Sequence, residues 1–387
     1  TVQFYSNGST RGSAENLYRK AGDIFVFCDA AESGYYASNS AYEWNFGQNP
    51  THSGTKTAGG NADGNGIGNY MYSVPSGFLA PCSANLATQS VKKSSEHFNT
   101  VLYTGDGSST RSISGAGFQP NFTWLKSRTE AYSHLLYDAV RGAGVSKGLK
   151  SNSDAVEGEN DNATYGYLSA FTSDGFNLVH GSSSSSFVNE NNDNMVAWNW
   201  KANGTGSSDS SKDITATVSA NTSSGFSIVT YTAPSSDGTQ TVPHGLGVTP
   251  SAVIYKVRDA TGNWTMLHTA WDGSVDYMKL NDTDSSGNTS YSLTSSTIPC
   301  FNSGSESMVA YVFAEVEGFS KIGIYKANNS TNGPFINTGF TPAWVMFKYL
   351  TGQGESWWML DSTRDPINLN TEALYANLSS AESTIGS

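Results

Sequence analysis

The amino-acid sequence predicts an all-β fold built from tandem β-sandwich modules. The first observation behind this is a stretch that returns three times along 387 residues. It reads Gly117-Phe118-Gln119-Pro120-Asn121-Phe122-Thr123-Trp124-Leu125-Lys126, then Gly247-Val248-Thr249-Pro250-Ser251-Ala252-Val253-Ile254-Tyr255-Lys256, then Gly339-Phe340-Thr341-Pro342-Ala343-Trp344-Val345-Met346-Phe347-Lys348. Internal copies of one unit mean an array of similar modules rather than one catalytic domain. The second observation is a similar lead-in to each copy: Phe98–Thr104, Phe226–Thr232 and Phe319–Tyr325. The third is composition. Forty Gly, nine Trp, 20 Tyr and 18 Phe, with only 14 % charged residues, fit short strands, tight turns and an aromatic-rich core. So many large rings can bury a core, which excludes disorder.

Each part of the repeat has a physical reason to be strand. Proline lacks an N–H, so it belongs just ahead of a sheet strand. The glycine before it supplies backbone freedom at the corner. The run behind Pro250 has no polar face, so this strand is expected to be buried on both sides, although a short apolar run by itself also fits a helix. In the lead-in, Phe226, Ile228 and Thr230 share one side and Ser227, Val229 and Tyr231 the other, the period of a strand. Two copies end alike, in Val196-Ala197-Trp198-Asn199-Trp200 and Val309-Ala310-Tyr311-Val312-Phe313.

Taken in order, Val2–Ser9 is an alternating strand running into Asn7-Gly8, a strong hairpin signal. Ile24–Phe27, Trp44–Pro50 and Pro75–Ala80 read as three further strands, and Thr51–Asn69 as a long loop. Ala87–Glu96 is a polar linker. The expected modules are residues 1–88, a first repeat at 97–206, a second at 225–318 and a third at 319–387. Ser207–Ser224 joins the first two repeats, and the third is expected to be truncated.

The order FYSNG, AYEWNFGQNP, PSGFLAP over residues 2–87 resembles the closing half of a SPRY domain, a concanavalin-like β-sandwich. The opening half of such a sandwich is expected upstream of Thr1. Gly117–Arg128, His134–Gly142 and Met195–Ala202, together with the NFGQ segment, resemble modular structural proteins of tailed, marine-type bacteriophages. That resemblance implies a tail or fibre component of a virion, located on the virion or outside the cell, and no catalytic residue.

Composition excludes several partners. The net charge is −12 and no Lys/Arg cluster is present, so neither nucleic acid nor an anionic membrane surface is expected to bind. No apolar run is long enough for a membrane span, and no signal peptide opens the chain. Cys28, Cys82 and Cys300 permit at most one disulfide and read as buried thiols.

Candidate chemistry is sparse. Asp282-Thr283-Asp284-Ser285-Ser286-Gly287 copies the opening of an EF-hand loop, but Leu293 stands where the bidentate Glu belongs, so an Asx-rich turn is favoured. Asp63-Gly64-Asn65-Gly66 and Asn189–Asp193 are weaker versions. Gly142–Gly148 has the wrong spacing for a phosphate loop and reads as a turn. His134 and His268 are read as occupying comparable places in repeats one and two, as structural residues. Asp138, Asp272, Asp361 and Asp365 are the acids available for glycoside hydrolysis, whose mechanism depends on their separation. Trp264, Trp271, Trp357 and Trp358 are candidate sugar platforms, weighed against filling the core. The Asn-x-Ser/Thr triplets at Asn121, Asn203, Asn221, Asn263 and Asn281 follow from composition.

The expectation is therefore a non-enzymatic tail-fibre or adhesin-type protein with no catalytic, cofactor or metal site. It would associate with itself, as a trimer, with other virion proteins, and with a host-surface glycan or protein. The alternatives are an architectural filament or capsid-decoration subunit, and a tailspike-type glycan-cleaving enzyme.

Overall fold

The computed structural model describes residues 2–6, 9–15, 51, 54, 56–80, 82–85, 91–159, 162–235, 240–301, 304–330, 333–351, 354–367 and 370–384. The chain divides into two compact units, Thr1–Gln89 and Ser90–Ser387. The fold is all-β, in antiparallel sheets.

In the first unit, β1 (Val2–Ser6) and β2 (Ser9–Glu15) pair antiparallel with Ser6 opposite Ser9, the hairpin that Asn-Gly dictates. Ile24–Phe27, Trp44–Pro50 and Cys28 lie outside the described residues. The strand expected at Pro75–Ala80 is absent. Phe78 N–H instead bonds Pro75 carbonyl at 3.1 Å, closing a turn at Ser76-Gly77, and Ala80 N–H is taken by the Asp63 carboxylate at 2.7 Å.

The second unit holds the repeats. The first comprises β3 (Phe98–Thr104), β4 (Thr110–Ser114), β5 (Phe122–Ser127), β6 (Leu135–Asp138), the short α1 (Asn162–Tyr165), β7 (Tyr167–Thr172), β8 (Gly175–Val179) and β9 (Asn194–Trp200). Its sheets run β3-β9-β5-β6 and β4-β8-β7, so the first and last long strands are neighbours. The second comprises β10 (Ser207–Asp209), β11 (Ala216–Asn221), β12 (Phe226–Thr232), β13 (Thr241–Pro243), β14 (Ala252–Val257), β15 (Thr265–His268), β16 (Asp276–Lys279), β17 (Gly287–Asn288), β18 (Thr297–Pro299) and β19 (Ser307–Phe313). One sheet runs β10-β11-β12-β19-β14-β15-β16-β17 and a ribbon pairs β13 with β18. The third comprises β20 (Trp344–Phe347), β21 (Trp358–Asp361), β22 (Glu372–Tyr375) and β23 (Ser383–Thr384), in that order in one sheet.

All three repeated stretches are strands, beginning two residues after the proline. The first two are buried on both faces, but Val345 in β20 is 40 % exposed. Two readings change. Ser207–Ser224 contains β10 and β11, which extend the second sheet; Ala216 and Val218 point to the core while Thr217 between them leaves the strand looking polar. The third lead-in, Phe319–Tyr325, forms no strand, and Ile324 and Tyr325 are exposed.

Packing joins the three repeats through a shared interior. Trp124, Trp198 and Trp200 of the first repeat bury against Phe226, Trp264 and Tyr311 of the second and Trp357, Met359 and Leu374 of the third. Each such side chain contributes roughly 1.5–3 kcal/mol on leaving water. Repeats one and two each add a private core on the other face, between their two sheets.

Candidate functional site

Several of the groups that sequence offered for chemistry, Trp264, Trp357, His134, Asp138 and Asp361, stand at the junctions between repeats. The residue just before β15, Trp264, donates its indole N–H to the Lys150 carbonyl of repeat one at 2.7 Å. The residue just before β21, Trp357, donates to the Lys279 carbonyl of repeat two at 2.8 Å. The residue just before β6, His134, places Nε2 at 2.9 Å and 3.1 Å from the Tyr375 and Leu378 carbonyls of repeat three. Each of the three has its own backbone N–H held by an asparagine, Asn281, Asn377 and Asn152 respectively. Repeat two grips one, three grips two, and one grips three. The contacts close a ring.

Two of the three lysines that end the repeated stretches belong to the same system. Lys256 Nζ donates to the Asp154 carbonyl of repeat one at 3.0 Å, and Lys348 Nζ to the Asp282 and Asp284 carbonyls of repeat two at 2.8 and 2.7 Å. Lys126 Nζ bonds Ser127 and Glu130 carbonyls. Burial pushes Lys126 and Lys256 down to about 8, against the pull of nearby carboxylates. Beside them, Arg258 pairs with Glu157 at 2.8 Å and Arg128 with Glu382 at 2.6 Å, again across repeats.

Asp138 ends β6 and Asp361 ends β21, and each is closed by the arginine three residues on, Arg141 and Arg364, with both partners fully buried. The same Oδ2 atom of each also takes a donor from a neighbouring repeat, while Oδ1 accepts backbone N–H groups of its own turn. Tyr311 O–H reaches Asp138 at 2.7 Å, and Trp198 Nε1–H reaches Asp361 at 3.0 Å. The same place at the end of β15 is His268. His134 and His268 are therefore not equivalents: one precedes its strand and the other ends it. The Asp-x-x-Arg spacing at 138–141 and 361–364 was the sequence signal that would have found these pairs.

Asp272 and Asp365 cap their own turns, through Ser274 and Thr371. Asp138 and Asp361 are thus held by arginines, and Asp272 and Asp365 by their own turns. The EF-like loop holds ammonium groups: Lys279 Nζ lies 2.7 Å from Asp284 and 3.5 Å from Asp282, while Lys348 takes the carbonyls. Asp63 accepts from three backbone N–H groups and Asn85, led by Ala80, which lowers its carboxyl to about 2. Asn189 knots the Asp106–Ser108 turn, and Gly142–Gly148 is a turn. No three His, Cys, Asp or Glu converge as cation ligands among the described residues. Trp264 and Trp357 fill the core, Trp358 stacks on Phe347, and Trp271 is 41 % exposed. Cys82 is a half-buried free thiol, and burial raises the buried Cys300 to about 11. Asn121 is buried and its side chain accepts the Ala202 N–H.

A family model described as a domain of unknown function, DUF7483, matches residues 93–387. The chain belongs to this family. No curated protein and no solved structure matches it. The DUF7483 region coincides with the three-repeat unit, so the ring of junctions is the architecture of that domain in this chain. No helix among the described residues is long and apolar enough to cross a membrane. A direct check on the ring is Trp264→Phe, which keeps most of the buried aromatic surface but leaves the Lys150 carbonyl to the longer Ser153 N–H bond at 3.3 Å. Urea unfolding should show a loss of about 1–3 kcal/mol. A change near zero would mean that the junction is hydrated.

Proposed function

We propose that this DUF7483 protein is a non-enzymatic structural component of a virion, of tail-fibre or adhesin type, acting as a homo-oligomer that displays a binding surface to the host. One observation carries the reading most: Asp138, Asp361, Arg128, Arg258, Lys256, Lys348 and His134 are engaged in closing one repeat onto another. A module built this way presents surface and resists dissociation. The residues resembling phage structural proteins, Gly117–Arg128, His134–Gly142 and Met195–Ala202, form the same ring. An open trough of about 250 Å³ on the second repeat, lined by Ser208, Thr217, Thr230 and Thr232, offers hydroxyls to a polar ligand such as a glycan.

The architectural alternative, a self-assembling subunit, is favoured by the exposed Val345 and by the edge of β20, which pairs with β21 alone among the described residues. Mass photometry at nanomolar concentration, followed by a glycan array, tests the reading. A trimer that survives dilution and retains a glycan or host-surface ligand is expected. Open-ended polymers would replace it with the filament. Release of reducing ends from a bacterial polysaccharide would overturn the non-enzymatic assignment.

A further inference from the structure

We propose that the outer edge of β20 in the third repeat receives an extended polypeptide of the pattern Met-Val-Ala-aromatic-x-aromatic. The inference rests on the internal repeats and stands or falls independently of the virion reading.

The same interface is established twice in this chain. β5 lies between β6 and β9, and β14 between β15 and β19, whereas β20 pairs with β21 alone among the described residues. The two seated strands share one pattern, Met195-Val196-Ala197-Trp198-Asn199-Trp200 and Met308-Val309-Ala310-Tyr311-Val312-Phe313. They also share one register. Trp200 faces Phe122 and Phe313 faces Ala252; Ala197 faces Leu125 and Ala310 faces Tyr255. Carried to β20, that register sets an aromatic opposite Trp344, alanine opposite Phe347 and valine opposite Lys348. The alanine is required by size, since the residue it faces is bulky in all three repeats. Thr123 and Val253 are wholly buried where their repeat is complete, and Val345 at the same position is 40 % exposed. An unpaired strand edge beside such a face is a template for strand addition.

A second, separate observation points to the same occupant. The seated strand's first aromatic reaches the strand end of the preceding repeat: Tyr311 to Asp138, and Trp198, in cyclic order, to Asp361. By that order the strand added to repeat three would reach the end of β15, which is His268. His268 is 3 % exposed, its Nε2 lies 3.3 Å from Ser286 Oγ, and its Nδ1 is buried without a partner. An indole N–H or phenol O–H from the incoming strand supplies the missing donor.

The test titrates the full chain into a fluorescent peptide carrying Asn194–Trp200 between solubilising lysines. Binding about tenfold or more tighter than to a scrambled peptide is expected, with hydrogen-exchange protection gained at residues 344–347. Alternate residues direct their N–H groups to opposite edges. One of Val345→Pro and Met346→Pro should therefore abolish binding while circular dichroism stays native. Should both misfold, the peptide with Phe in place of the first Trp keeps the question open to measurement on the unaltered protein. It should bind several-fold more weakly, and His268→Phe should erase that difference. Equal binding of the scrambled peptide, or protection appearing elsewhere, overturns the proposal.

Discussion

Arg141→Met is expected to cost about 3–5 kcal/mol, the penalty of leaving a buried carboxylate without its cation. Arg141 is wholly buried and holds Asp138 on one side and Glu157, at 2.8 Å, on the other. It also donates to the Leu136 carbonyl and lies 3.2 Å from Tyr311 Oη of the second repeat. Removing it strands Asp138 in a cavity whose other donors are Tyr311 O–H and two backbone N–H groups. The desolvation cost of that charge exceeds what three neutral donors return. The double variant Asp138→Leu/Arg141→Met removes the stranded charge and should recover most of the loss. Urea midpoints for the wild type, the single and the double variant decide it. A single-variant loss under about 1 kcal/mol would show that water reaches Asp138, and the ring contact would then be a surface pair of little worth.

Much of this architecture was legible in the residues. Proline followed by an apolar run placed β5, β14 and β20, and the alternation in Phe226–Thr232 placed β12 with both boundaries correct. What failed did so for local reasons. Thr215-Ala216-Thr217-Val218 reads as linker because every second residue is polar and the strand is short, and pairing with β10 and β12 makes it sheet. Phe319–Tyr325 carries the lead-in pattern yet forms no strand, and in the first two repeats the lead-in is paired by β9 or β19. A pattern without a partner does not make a strand.

The ring itself was hidden because its bonds run between side chains and carbonyls far apart in the sequence, 114 residues from Trp264 to Lys150 and 78 from Trp357 to Lys279. Carbonyls are supplied by any residue, so no spacing rule marks them. The closing lysines were visible as a repeated letter, and their role was not. A lysine after an apolar run usually reads as the solvated end of a strand, and here Lys126 and Lys256 are buried.

Acidification should open the junction between repeats one and three, because His134 is locked in one neutral tautomer. Its Nδ1 accepts the Trp124 indole N–H at 2.8 Å, and indole has no acceptor to offer in return. The proton therefore sits on Nε2, which donates to Tyr375 and Leu378 carbonyls. A second proton on Nδ1 would face an N–H. Burial first, and the nearby Lys126 ammonium second, hold the ring down to about 3, against the two carbonyls, which favour the charged form. A folded value below the unfolded 6.5 gives stability that is complete above pH 6.5 and is lost as pH falls toward 3. The slope from one such group is about 1.4 kcal/mol per pH unit. His97, His244 and His268 are lowered by burial as well and slope the same way. The readout is therefore a difference between proteins. Between pH 6.5 and 4.5, above the range where ordinary Asp side chains titrate, His134→Gln should lose stability with about one proton's less slope than the wild type. Hydrogen exchange should place the acid-sensitive opening at residues 372–378. Parallel slopes would mean that His134 stays neutral in the unfolded chain too or is hydrated in the folded one, and either result removes it as the latch of the ring.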